Sequence, residues 1–178
     1  MIILHFSYIK SIDDGGIYFY IKNLIKYQRK IGIISYWISS KENNKNISKS
    51  KLIKRIKLIN PDIIHIHGLW RKPTRLIPCL LKITENIIVA PHGMLNKPSF
   101  AKSKMKKQIS LILYEKRNLE KIKAFHALNA NEKKYIKNFF KKKDIKKLSA
   151  GIDIPKNNIS HNKLAWLKQI NNQDKIIL

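Results

Sequence analysis

Short apolar runs rich in β-branched residues alternate with segments of helical period along most of this chain, and that alternation restricts its fold more than any other feature. Residues 2–6 read as a first strand. A polar loop over 7–14 follows. Gly15-Gly16 then opens a helix on which Ile17, Tyr20, Ile21, Leu24, Tyr27 and Ile31 recur at helical spacing, and Gly32 stops it. Residues 33–38 form a second strand and 40–50 a polar, Asn/Lys-rich loop. Leu52, Ile53, Ile56 and Ile59 make the stripe of a second helix, ended by Asn60-Pro61. A third strand lies in the stretch 61–70, a short helix broken or begun near Pro78 in 71–82, and a fourth strand over 87–90. Met105, Ile109, Ile112, Leu113, Leu119 and Ile122 mark a long helix, and 124–128 a fifth strand. Asn129 and Glu132 have the spacing of a capping box for a helix faced by Tyr135, Ile136, Phe139 and Phe140. Residues 145–149 are a sixth strand. Strands alternating with helices make a parallel sheet with right-handed crossovers, so the expected fold is a doubly wound α/β sheet over residues 1 to about 150.

The stretch Pro61-Asp-Ile-Ile-His-Ile-His-Gly-Leu-Trp70 is the expected centre of that sheet. Ile63, Ile64 and Ile66 suit a strand covered on both faces, with Pro61 and Gly68 as punctuation. His65 and His67, two apart on a strand, point to one face. They stand at the carboxyl end, where open α/β sheets take their ligands. His5, His92 and His126 also fall within or beside strands, and His161 alone lies elsewhere. Each imidazole can be read as a core histidine paired to backbone, or as part of a site. Gly15-Gly16 at the first strand-to-helix turn allows backbone amides to approach a phosphate, and equally makes a plain tight turn. The dinucleotide fingerprint G-x-G-x-x-G is absent. A metal hydrolase built on His65, His67, His92 and His126 would want carboxylates at strand ends, and Asp13, Asp14 and Asp62 are the only early aspartates. A group-transfer enzyme needs glycines, cations and a polar crevice, which fits better.

The chain has 178 residues, 37 of them Lys or Arg against 11 Asp or Glu, a net charge of +26. Such a balance suits a polyanion: nucleic acid, an anionic membrane face or nucleotide phosphates. Lys, Asn and Ile are all overused, however, as an AT-rich genome would dictate whatever the function. Cys79 is the only cysteine, which excludes an internal disulfide and a Cys-based zinc site and fits a reducing cytoplasm. No run approaches the ~18 apolar residues of a membrane span, and the N-terminus lacks a signal-peptide pattern.

Gly15-Gly16 before a helix ending in Gly32, the stretch 61–70 and Pro91-His-Gly-Met-Leu95 occur together. So do a basic helix through Lys106-Lys107 to Glu115, Phe125-His-Ala-Leu-Asn-Ala-Asn-Glu132 and Ser149-Ala-Gly-Ile-Asp153. In order and spacing the chain resembles the N-terminal domain of family 4 (group 1) glycosyltransferases of the GT-B fold, of the type that builds bacterial surface polysaccharides. The resemblance implies a Rossmann-like acceptor-side domain over 1–155, with 156–178 as linker and first strand of a C-terminal donor domain lying beyond. It implies transfer of a sugar from a nucleotide-sugar to a lipid-linked or polysaccharide acceptor, without metal or other cofactor. The expected setting is cytoplasmic, with peripheral contact to the anionic inner membrane face. It places Gly15 and Gly16 at the donor diphosphate, His92 at the transferred sugar as the catalytic residue, and His67, Trp70, Lys106 and Lys107 along the cleft. The family's usual Asn-Gly and Gly-His pairs are here Ala150-Gly151 and Gly32-Ile33. The chain by itself is expected not to transfer sugar. The competing reading is a basic nucleic-acid-binding protein; the aromatics, expected mostly on apolar helix faces, favour the enzyme.

Overall fold

A computed structural model describes residues 1–8, 10–12, 15–42, 45–96 and 115–151. Strands β1 (Ile2–Ser7), β2 (Ile34–Ser39), β5 (Ile63–His67), β6 (Ile87–Ala90), β7 (Ala124–Ala127) and β8 (Asp144–Lys147) form one sheet of order β2-β1-β5-β6-β7-β8. All of its pairings are parallel, so the doubly wound, Rossmann-like α/β fold is as expected. The chain leaves β1 toward β2 on one side and returns to β5 on the other. The β1/β5 boundary is therefore the topological switch point, where a crevice opens beyond the carboxyl ends.

Helix α1 (Gly16–Lys30) follows β1. Its N-cap Gly15 sits at φ 57°, ψ −127°, a conformation open to glycine. Its end is a Schellman turn: Gly32 N–H reaches Arg29 O at 3.1 Å and Ile33 N–H reaches Gln28 O at 3.0 Å. Helix α2 (Lys49–Ile59) is capped by the Ser48 hydroxyl and ends on left-handed Asn60 before Pro61. The helical segment expected over 71–82 is broken as expected, into two one-turn helices, α3 (Lys72–Arg75) and α4 (Ile77–Leu80), the second carrying Pro78 in its first turn. The loop expected over 40–50 contains a small hairpin, β3 (Lys41–Glu42) with β4 (Lys45–Asn46), tied to α2 by Glu42–Arg55. Of the long helix expected up to Ile122, residues 97–114 lie outside the described residues. Its described part is α5 (Lys116–Leu119), and the chain turns at Glu120 so that Ile122 is buried on the approach to β7.

Helix α6 (Ala130–Phe139) begins at Asn129, whose side chain accepts Glu132 N–H at 2.8 Å. Asn129→Ala is expected to cost about 1 kcal/mol, the usual value of such a cap, seen as a lower urea midpoint at unchanged slope. Residues 152–178, with His161 and the expected start of a second domain, lie outside the described residues.

The two sheet faces differ in kind. One carries Leu4, Phe6, Ile64, Ile66, Val89, Phe125 and Ile145, all in one apolar cluster with Leu52 and Ile56 of α2. Strand register lines up Phe6, Ile66, Val89, Phe125 and Ile145 as a row across the sheet. The opposite face, under α1, carries the alternate positions: His5, Ser7, Ser35, His65, His67 and His126, all buried. Polar side chains placed there must satisfy one another or water.

A cluster of histidines at the switch point

Parallel register sets His5 beside His65 and Ser7 beside His67. Ala90 of β6 is the neighbour of His67 and leaves the space above it open to larger rings. His5 and His65 rings lie 5.4 Å apart between centroids, His65 and His67 4.2 Å, His67 and His92 5.2 Å, and His65 and His126 5.3 Å. Tyr20, one helical turn beyond Gly16 on α1, lies over them, 5.1 Å from His92 and 5.9 Å from His67.

Two hydrogen-bonded chains run through the cluster. In the first, Gln28 Oε1 lies 2.8 Å from His5 Nε2, His5 Nδ1 3.0 Å from His67 Nε2, and His67 Nδ1 3.0 Å from His92 Nε2. With the Gln28 carbonyl turned to His5, each neutral ring donates through Nε2 and accepts through Nδ1, and the series leaves over the lone pair of His92 Nδ1. In the second, His126 Nε2 donates to Leu148 O at 2.9 Å, and His126 Nδ1 lies 3.3 Å from His65 Nε2. A neutral pair of this kind leaves over His65 Nδ1.

Burial makes a charged imidazole costly here. It lowers His5 and His92 to about 4, and holds His65 and His67 well below the ordinary histidine value, with neighbouring imidazoles adding to the effect. Burial, and secondarily the Glu132 carboxylate, pushes Tyr20 up to about 12.

His92 itself has a left-handed backbone, φ 52°, followed by Gly93 at φ 74°. A buried carboxylate holds this turn: Glu132 Oε1 accepts Gly93 N–H at 2.6 Å and Oε2 accepts Leu128 N–H at 2.7 Å. The β5 and β6 loops also touch, since a Cβ at Gly68, whose φ is 84°, would meet Met94 Cε at 3.1 Å. Glu115 is wholly buried and accepts the Trp70 N–H at 3.1 Å and the Thr74 hydroxyl at 2.6 Å. Burial raises it to about 7, against the opposing hydrogen bonds from Thr74 and Trp70.

The structure thus brings together His67, His92 and α1, the helix opened by Gly15 and Gly16, beyond the carboxyl ends of β1, β5 and β6. A Cβ built at either glycine meets nothing within 4 Å, so the turn has open space beside it. Trp70 is not part of the group; its side chain packs against the apolar cluster. Lys106 and Lys107 lie outside the described residues. Tyr20, Gln28, Glu115 and Glu132 are the residues that pattern reading missed. Tyr20 and Gln28 continue one stripe with Gly16 at steps of four, which was the available signal. Of the aromatics, expected mostly on apolar helix faces, Phe19, Tyr27 and Tyr36 are exposed, and Lys26 and Lys30 lie over the Tyr27 ring. Among the described residues no helix is long and apolar enough to cross a membrane. No protein-family model matches the chain, and no curated protein matches it.

Proposed function

We propose that this domain is the acceptor-side wall of a GT-B glycosyltransferase, acting on a nucleotide-sugar and a lipid-linked or polysaccharide acceptor at the cytoplasmic face of a membrane. The observation that carries the reading is the juxtaposition of His92 with Tyr20 on the helix opened by Gly15-Gly16, beside the β1/β5 switch point. A glycine turn at a helix N-terminus suits a diphosphate. A neutral imidazole with one nitrogen already committed to His67 suits a sugar hydroxyl beside it. The resemblance stated above assigns the same two positions to donor diphosphate and transferred sugar. Lys106 and Lys107 belong to this proposal as acceptor-side cations. The donor's nucleotide would be held mainly by a second domain, on this chain or another, because positioning both substrates supplies roughly 7–11 kcal/mol of such a barrier and one wall cannot do it.

The test is backbone NMR of the labelled chain titrated with UDP-, GDP- and dTDP-sugars, and separately with duplex DNA at rising salt. Nucleotide-sugars are expected to shift the Gly15, Gly16, Tyr20 and His92 amides, and His92→Ala to weaken binding about tenfold. Silence at those amides, together with tight and steeply salt-dependent DNA binding, would replace the proposal by the nucleic-acid reading.

A further inference from the structure

We propose that His5, His65 and His67 bind a divalent ion of the zinc, cobalt, nickel and copper group. One ring nitrogen from each lies within 4.8 Å of the other two. Ligands of a tetrahedral zinc at about 2.0–2.1 Å stand about 3.3 Å from one another. His5 Nδ1 and His67 Nε2 already lie 3.0 Å apart, so a small adjustment of the three rings closes the site. The scaffold resists larger distortion: all three residues are buried, and His5 and His65 are register partners on adjacent parallel strands.

The outer nitrogens carry the argument. A histidine that ligates a metal nearly always gives its other N–H to a fixed acceptor. Each of these three has such a partner in place. His5 Nε2 faces the Gln28 carbonyl, His65 Nε2 faces His126, and His67 Nδ1 faces His92. The nitrogens left for the ion are His5 Nδ1, His65 Nδ1 and His67 Nε2. His126 is anchored in turn on Leu148 O. Three imidazoles suit borderline transition ions, with solvent as a fourth ligand, and do not suit Ca²⁺ or Mg²⁺, which take oxygen.

Loading the site reverses one hydrogen-bond chain. His67 Nε2 gives its lone pair to the ion, so its proton moves to Nδ1 and is donated to His92 Nε2. The His92 proton then moves to Nδ1, and the left-over nitrogen of His92 changes from acceptor to donor. No net proton is released. The site stands independently of the glycosyltransferase reading, and its readouts involve no sugar.

The experiment uses the full chain, stripped with chelator, and Co²⁺ or Zn²⁺ as probe. Expected are one tight equivalent by calorimetry, the visible bands of a four- or five-coordinate Co²⁺, and a melting point raised by about 5 °C at a hundredfold excess over Kd. Mg²⁺ and Ca²⁺ are expected to do nothing. Zn²⁺ should move the His67 and His92 ring protons from Nε2 to Nδ1 in imidazole ¹⁵N spectra. His67→Gln should weaken binding by more than the 10–100-fold that outer partners carry, and His161→Gln should not change it. If His67→Gln fails to fold, paramagnetic broadening by Co²⁺ in the unaltered chain decides, and it should centre on His5, His65 and His67. Only hydrated, six-coordinate Co²⁺, or broadening centred on His161, overturns the proposal.

Discussion

Acidifying the chelator-treated protein from pH 7 to pH 4 is expected to remove about 3 kcal/mol or more of its stability, a large part of the 5–15 kcal/mol that a domain of this size has. His5 and His92 fall from 6.5 to about 4 on folding, because burial disfavours their charged forms. A lowered folded-state value means that the unfolded chain binds more protons between pH 6.5 and 4. Stability is then full above 6.5 and is lost as pH falls through that window, about 3 kcal/mol for each of the two at about 1.4 kcal/mol per unit. His65 and His67 shift in the same direction and deepen the loss. Glu115 opposes it. Its folded value is raised from 4.5 to about 7, so its contribution is full below 4.5 and is lost as pH rises through 7. On acidification it returns about 3 kcal/mol over nearly the same window. The titratable groups facing the histidines are one another and Tyr20, and no lysine approaches them among the described ring contacts. Urea unfolding at pH 7, 5.5 and 4 measures the balance, and Glu115→Gln should steepen the acid loss. Stability that stays level or rises between pH 6.5 and 4 would show that the imidazoles accept charge without penalty.

What the sequence revealed here follows the range of the interactions. Strand periodicity is local, so the opposed faces of β1 and β5 were legible in His65-Ile66-His67 and in Leu4-His5-Phe6. The glycine stops were legible too, because Gly32 and Asn60-Pro61 have few alternatives to left-handed or helix-ending backbone. Tyr20 was not separable from its neighbours, since an aromatic ring on an inner helix stripe looks the same over isoleucine as over imidazole. Trp70 illustrates the converse. Its left-handed backbone, φ 65°, turns the ring to the apolar layer, and nothing local to Gly-Leu-Trp specifies that. The hairpin of β3 and β4 escaped notice because lysine and asparagine are poor strand formers, and its tie to Arg55 comes from α2. Asn129-x-x-Glu132 was legible as a capping box only in its first half. The Asn129 side chain does cap α6, but the carboxylate passes over the Asn129 N–H of a capping box: one oxygen takes the Leu128 N–H and the other an amide 39 residues away, that of Gly93.

That carboxylate gives the other large expected effect. Glu132→Ala should cost about 3 kcal/mol or more, several times the cap lost in Asn129→Ala. Glu132 is 1% exposed and accepts two backbone amides at 2.6 and 2.7 Å, those of Gly93 and Leu128. Hydrogen bonds to a charged group contribute roughly 1.5–3 kcal/mol each, and deletion leaves both amides without their acceptor. Glu132→Gln should fall between the two variants: its single carbonyl can serve one amide, while its NH₂ group meets the other donor. The same bond fixes the turn that holds His92 at φ 52°, so the effect should reach the cluster. Tyr20 reports it, because part of its upward shift comes from Glu132. In both variants the Tyr20 phenol should ionise at lower pH in an alkaline absorbance titration, which a purely structural weakening elsewhere would not produce. Urea midpoints for Glu132→Ala, Glu132→Gln and Asn129→Ala then test the ranking. If Glu132→Ala costs no more than Asn129→Ala and Tyr20 titrates unchanged, the carboxylate is an ordinary helix cap, and some other contact holds the His92 turn against the β5 loop.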